Sequence, residues 1–176
     1  AVNTYNAGLC GELCAGLRAH PVATFAYSRD VLMPAIARGA EKAGRSLSEV
    51  DVVGSPFLAV GADEEGVERA KTALKQHIAF YASTRSYHAV LKYHGWEELG
   101  ARLHQLSVEG KWTELPLQIT DEMLEEWAIV GTYDELAQKL LAKADGAYTS
   151  VLLDLPKALR DDEDRVADIV RSLQGA

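Results

Sequence analysis

Residues Val50–Val60 read VDVVGSPFLAV and give the clearest strand pattern in the chain. Both ends of the stretch are apolar, as is typical of a buried strand. The central Gly54-Ser55-Pro56 interrupts the pattern. We therefore predict one strand with a bulge or bend at its centre.

A long helix is predicted directly after this strand. Acidic residues occupy positions 63–65, where they complement the positive end of the helix dipole. Val67, Leu74 and Ile78 then follow at helical spacing and form an apolar stripe. The pattern continues to about Ser83, and a helix of this length is typical of the outer layer of an α/β fold.

The rest of the chain alternates between helical and strand patterns. Two further strands are predicted at Leu17–Pro21 and Tyr148–Leu155, and Ala1-Val2 could be the tail of a fourth. Helices are predicted over residues 4–15, 28–43, 120–131, 132–144 and 161–173, and a helical subregion covers about 84–130, before the last strand. The alternation predicts an α/β fold with parallel strands and outer helices.

Composition excludes several classes of protein. The 176 residues include 18 Lys plus Arg and 26 Asp plus Glu, a net charge of −8, and 48% are hydrophobic. The negative charge disfavours binding to nucleic acid or to an anionic membrane surface. No apolar run reaches the length of a membrane span, and the start lacks the pattern of a signal peptide. We expect a globular cytoplasmic protein.

The sequence offers no metal site. Cys10 and Cys14 lie four residues apart on a predicted helix, and we interpret them as buried structural residues, with redox pairing as the alternative. The helical histidines share no metal spacing, and the tryptophans are interpreted as packing residues. These residues are His77, His88, His94, His104, Trp96, Trp112 and Trp127.

The sequence contains no phosphate loop, dinucleotide fingerprint or nucleophile elbow. Candidate site residues are therefore identified only by their positions relative to the predicted strands and helices. In parallel α/β folds, ligands bind where strands end and helices begin. Asn3 and Thr4 occupy such a junction, where a helix N-terminus favours an anion, although either residue could simply cap the helix. Arg18 and His20 alternate along one strand and face the same side. Asp154 follows the last predicted strand.

Several segments together resemble the luciferase-like monooxygenase superfamily. They are residues 1–5, Gly11-Glu12, residues 15–18 and His20-Pro21, followed by residues 78–83, 91–96 and 130–136. The similarity runs along the whole chain and is greatest to the branch of F420-dependent oxidoreductases. Ala15 stands where that pattern usually has Asp.

The resemblance implies a fold, a cofactor and a site. Members are (β/α)8 TIM barrels, so the chain, residues 1–176, would be the C-terminal half of one barrel domain. Val2, Asn3 and Thr4 would contact the phosphate-bearing tail of coenzyme F420, or of flavin mononucleotide as the alternative. Arg18 and His20 would face the mouth, toward the cofactor tail or a small-molecule substrate. The catalytic residues would lie in the other half of the barrel.

A non-catalytic interpretation stays open beside this one. A half-barrel exposes the edges of its sheet, and exposed edges favour pairing. The chain could therefore be an interaction module, or pair with the N-terminal half of the barrel or with a second copy. We expect a homo-oligomer.

Overall fold

Five short strands pair only in parallel in the computed structural model, which describes residues 1–175. One sheet has the order β1-β2-β5, and β3 pairs with β4 in a second sheet. The predicted α/β class with parallel strands and outer helices is confirmed. The strands are β1 Gly16–Arg18, β2 Asp51–Gly54, β3 Phe57–Gly61, β4 Ala128–Thr132 and β5 Ser150–Val151.

Ten α-helices surround these strands in the described part of the chain, and several shorter turns connect them. They are α1 Thr4–Leu13, α2 Phe25–Tyr27, α3 Met33–Lys42, α4 Glu64–Ala82, α5 His88–Tyr93, α6 Glu97–Val108, α7 Asp121–Trp127, α8 Leu136–Ala144, α9 Lys157–Arg160 and α10 Glu163–Gln174. None of the helices in residues 1–175 is long and apolar enough to cross a membrane.

The stretch Val50–Val60 is two strands, so the prediction of one bent strand is wrong. Its first half, β2, lies between β1 and β5, whereas its second half, β3, pairs with β4 in the other sheet. The change of sheet falls at Ser55-Pro56. Proline has no N–H to donate to a ladder, so the pairing is interrupted there.

The strand β4 was not expected from the sequence. The helix predicted to continue to Gly131 ends at Trp127, and Ala128 begins β4. The helical subregion therefore lies between β3 and β4, before the fourth strand and not directly before the last. Trp127 and Ala128 are both buried, so burial does not change where the helix ends and the strand begins. A short apolar run next to a helix is compatible with either a helix or a strand, because it is too short to show a hydrophobic period.

The last strand is shorter and more exposed than predicted. Of the expected strand Tyr148–Leu155, only Ser150 and Val151 pair, and β2 is their neighbour. Leu152 is 49% exposed. The three apolar residues after Ser150 are thus not the buried centre of a sheet, because β5 lies at its edge.

Helix α1 also differs from prediction in the face that it buries. Ala7 and Gly11 are buried, whereas Leu9, Leu13 and Cys14 are exposed and Cys10 is partly buried. The reason is a close crossing of α1 and α3. A Cβ on Gly11 would lie 2.1 Å from the carbonyl oxygen of Ile36, so the helices pack backbone to backbone through this glycine.

Three apolar clusters form the core. The first packs α1 and α3 against one face of β1 and β2 and includes Leu17, Val52 and Ile36. The second lies among β3, β4 and the helices α4, α6 and α7, and the third lies around α8 and α10. Trp96 and Trp127 belong to the second cluster, as predicted. Trp112 is 47% exposed, so its interpretation as a packing residue is wrong.

Candidate functional site

The N-terminal residues lie beside β1, at the carboxyl end of that strand. The amino nitrogen of Ala1 donates to the Arg18 carbonyl oxygen at 2.7 Å, and the His20 amide donates to the Ala1 carbonyl at 3.1 Å. These two hydrogen bonds follow the pattern of two parallel strands, with Ala1 opposite Ala19. This pairing brings the start of α1 to the same edge of the sheet as Arg18 and His20.

Arg18 projects from the face of β1 opposite to that of Leu17 and Ala19. Its neighbours Leu17 and Ala19 are buried against the helices, and side chains alternate between the two faces of a strand. The Arg18 Nε donates to the Ser55 Oγ at 3.2 Å. In the described residues no carboxylate lies within ion-pair distance of Arg18. Ser55 therefore orients a guanidinium whose two terminal nitrogens can bind an anion.

His20 is held as a neutral ring. The amide of Val22 donates to its Nδ1 at 3.2 Å, so Nδ1 carries no proton. Its Nε2 then bears the hydrogen and donates to the Tyr87 Oη at 3.3 Å. Burial lowers the pKa of His20, in agreement with this tautomer.

Two tyrosines enclose the His20 ring. Tyr87 stacks on it at 4.8 Å between centroids, and Tyr81 meets it edge to face at 4.9 Å. Arg18 and His20 both lie at the carboxyl end of β1, but their partners differ: Arg18 contacts a serine hydroxyl, whereas His20 contacts aromatic rings. They are neighbours at one edge and do not bond to each other.

Asn3 caps helix α1. Its Oδ1 accepts a hydrogen bond from the Asn6 amide at 2.8 Å, which is the capping role that the sequence left open. The capping bond does not use the amides of Thr4 and Tyr5, which belong to the first turn and have no partner within the helix. Val2 is buried, and its carbonyl accepts from the Tyr27 hydroxyl at 3.1 Å. Thr4 is exposed.

Asp154 and the cysteines contribute less to this edge. Asp154 is exposed beyond β5, and Cys10 on α1 and Cys14 directly after it are free thiols. Within residues 1–175, no three His, Cys, Asp or Glu side chains are placed to hold a metal ion together.

Ser55, Tyr81 and Tyr87 were not identified from the sequence. The Gly54-Ser55-Pro56 break marked the position of Ser55 as unusual without indicating a partner for Arg18. The tyrosines come from α4 and from the turn that follows it, more than sixty residues after His20. Only the fold brings them to β1.

The sheet, the outer helices and the polar residues at the carboxyl edge of β1 define a barrel-type α/β protein. Residues 1–150 match the family described as luciferase-like monooxygenase, and the chain belongs to this family. The family predicted from the sequence is thereby confirmed.

Two curated relatives show how far the similarity extends. An uncharacterised protein of Mycobacterium tuberculosis is 39% identical over 144 residues, which are 82% of this chain and 42% of that protein. The 5,10-methylenetetrahydromethanopterin reductase of Methanopyrus kandleri is 27% identical over 142 residues, 80% of this chain and 39% of the reductase. The chain thus spans less than half the length of these relatives.

Two solved structures share the fold. The coenzyme F420 dependent tetrahydromethanopterin reductase from Methanopyrus kandleri superposes with a TM-score of 0.69 at 24% identity, over 97% of this chain and 47% of that chain. An F420-dependent secondary alcohol dehydrogenase, in complex with an F420-acetone adduct, superposes with a TM-score of 0.64 at 14% identity. The match covers 98% of this chain and 47% of that chain. The chain has the fold of a partial (β/α)8 barrel, as predicted.

Proposed function

We propose that this chain is the C-terminal half of an F420-dependent oxidoreductase that acts on a small organic substrate. The family and the F420-dependent relatives support an oxidoreductase, and the oriented Arg18 at the carboxyl edge of β1 supports a site for an anionic cofactor. The whole chain would form one part of a barrel domain, with the helical subregion lying beside the mouth.

The residues at this edge fit the phosphate-bearing tail of a deazaflavin. A phosphate needs several donors, and Arg18 offers its terminal nitrogens while Ser55 holds its Nε. The N-terminus of α1 adds the free amides of Thr4 and Tyr5 and the positive end of the helix dipole. Val2, Asn3 and Thr4 would then contact the cofactor through their backbone.

The remaining residues serve orientation. A bound deazaflavin supplies hydride transfer to or from an organic substrate. Neutral His20, fixed between Tyr81 and Tyr87, would line the mouth without adding charge next to the cofactor. In this proposal the side chains bind and orient, and none of them has to act as a nucleophile.

Cofactor binding tests the proposal. We would titrate the full-length protein with F420 and with flavin mononucleotide and follow the absorbance of each. The proposal predicts saturable binding of F420, and it predicts that Arg18→Gln weakens this binding at least tenfold, because a charge-assisted contact to phosphate is lost.

Arg171→Gln is the matched control. Arg171 is an exposed arginine in the last turn of α10, and its ion pair is with Asp168 of the same helix, so its replacement should leave the affinity unchanged. Absence of F420 binding by the intact barrel would refute the proposal. Preferential binding of flavin mononucleotide would instead favour the flavin alternative.

A half-barrel that pairs with a second copy of itself is a second candidate function. An apolar groove of about 1020 Å³ lies between α8, β5 and α10 and is lined mainly by leucine, valine and isoleucine. Within residues 1–175, β5 pairs with β2 alone, so its other edge is available for pairing with another chain. A large exposed apolar surface is typical of an interface, which supports this second candidate.

Sedimentation of the 176-residue chain separates the candidates. A cofactor-free dimer that dissociates on Leu153→Glu, in the groove, would favour self-pairing. A monomer that joins a separately expressed N-terminal half and then binds F420 would favour the enzyme. A stable monomer that does neither would contradict both.

A further inference from the structure

Seven aromatic side chains form a continuous strip that begins at the candidate site. We call it the aromatic strip, and it extends from the carboxyl end of β1 across β3 and α4 to the loop after α6. Its members are His20, Phe57, His77, Phe80, Tyr81, Tyr87 and Trp112.

Tyr81 is the centre of the strip. Its ring centroid lies 4.9 Å from that of His20, 5.1 Å from that of His77 and 5.7 Å from that of Phe80. Phe80 in turn lies 6.3 Å from Trp112. These separations are those of interacting aromatic pairs, so the ring surface is unbroken from the candidate site to Trp112.

The outer part of the strip is open to solvent. Phe80 is 50% exposed and Trp112 is 47% exposed, and His77 is also exposed. In contrast, Trp127 is buried, and Trp96 packs against it. Packing of the core therefore accounts for two of the three tryptophans, but not for the placement of Trp112 against an exposed phenylalanine.

The chemistry of the strip favours a flat and uncharged ligand. None of its side chains is a carboxylate, an ammonium or a guanidinium, and neutral His20 adds no charge at the inner end. Ring faces and edges attract another planar π system by offset stacking or edge-to-face contact. A saturated ligand of equal size would gain burial alone.

We propose that the aromatic strip binds the planar ring system of an uncharged aromatic or heteroaromatic substrate. The assignment of this ligand as a substrate rests on the proposed function, because the strip meets the Arg18 edge through His20. The strip supplies the ring contact, and the opposite end of the site takes the anionic cofactor tail.

Naphthol and its saturated analogue decahydronaphthol are the probes that test the strip. The 176-residue chain would be titrated with each while the indole N–H resonances are followed by NMR. We expect naphthol to shift the Trp112 resonance saturably, to leave Trp127 unmoved, and to bind at least tenfold more tightly than decahydronaphthol.

Phe80→Ala, followed at the Trp112 indole, and Trp112→Leu, followed by the fluorescence of naphthol, should each weaken naphthol binding about tenfold, by loss of a stacking partner. Both residues are half-exposed, so the variants should fold, which circular dichroism would verify. Tyr93→Ala is the matched control, because Tyr93 is an aromatic residue, 38% exposed, on α5, and its ring pairs with Tyr27 and His94, outside the strip.

Equal affinity for the two probes, or unchanged binding in a folded Phe80→Ala variant, would overturn the proposal. So would absence of naphthol binding. The F420 titration gives an independent result. If the protein binds naphthol at the strip but does not bind F420, the strip is a ring-binding site but not the substrate site of an F420-dependent enzyme.

Discussion

Gly39 of α3 lies directly against the backbone of Gly8 of α1. A Cβ on Gly39 would be 1.9 Å from the Gly8 carbonyl oxygen, a separation that atoms cannot adopt. The helix that begins at the candidate site is thus held by a backbone contact that permits no side chain at this position. Because Asn3 and Thr4 begin α1, the packing of α1 against α3 helps to fix their position.

Gly39→Ala should therefore destabilise the protein by about 1–3 kcal/mol or more, since overpacking against rigid backbone forces the helices apart. Chemical denaturation would measure the loss. Arg38→Ala, at the adjacent exposed position, should change the free energy of unfolding by no more than about 0.5 kcal/mol. Equal stability of the two variants would contradict the crossing described here.

Trp127→Phe tests the link between the helical subregion and the loop after β1. The Trp127 Nε1 donates to the Val22 carbonyl at 2.8 Å, and the side chain is 1% exposed. Phenylalanine would leave a buried carbonyl without its donor, so we expect a loss of about 1–3 kcal/mol in thermal or denaturant unfolding. Trp112→Phe, at a half-exposed tryptophan, should cost far less. A smaller loss at Trp127 than at Trp112 would disprove this role.

Stability should fall in mild acid because of partly buried histidines. Burial lowers the pKa of His20, His88 and His94, so these rings are neutral in the folded protein at neutral pH. The unfolded chain takes up protons at a higher pH than the folded protein does. The neutral histidines therefore make their full contribution to stability above about pH 6.5. This contribution decreases as the pH falls toward the lowered pKa values of the folded protein.

The buried Nε2 of His88 strengthens this expectation, because it has no hydrogen-bond partner in the described residues. Denaturation at about pH 7.5 and about pH 5.5 should show the decrease. His94→Gln should reduce its size, whereas His77→Gln, at an exposed position, should not. Stability that is independent of pH over this range would be inconsistent with the prediction.

Glu135 should titrate far below an ordinary glutamate. The ion pair with Lys139 lowers the pKa of Glu135 to about 2, with further help from the amide and hydroxyl of Thr132 in the capping box. Lys139→Met should raise this pKa, because the largest cause of the shift is removed. An NMR titration of the side-chain carboxyl would measure both values. An unchanged pKa in Lys139→Met would mean that the capping box alone sets it.

Local patterns predicted much of the fold because local chemistry decides it. The capping box of Ser46 with Glu49 and that of Thr132 with Glu135 each need only residues that are three positions apart in the chain. The long helix after Asp63 follows its apolar stripe for the same reason. The strand β4 escaped prediction because its partner, β3, lies about seventy residues earlier in the chain.

The sequence alone determined the α/β class, the parallel strands and the family, because periodicity, caps and ordered motifs are properties of the chain itself. It also marked Asn3, Arg18 and His20 as residues at the ends of strands. Only the tertiary structure decided their surroundings: Ser55 beside Arg18, and the tyrosines around His20. Contacts between residues so far apart in sequence depend on how helices and strands pack, which a one-dimensional pattern does not contain.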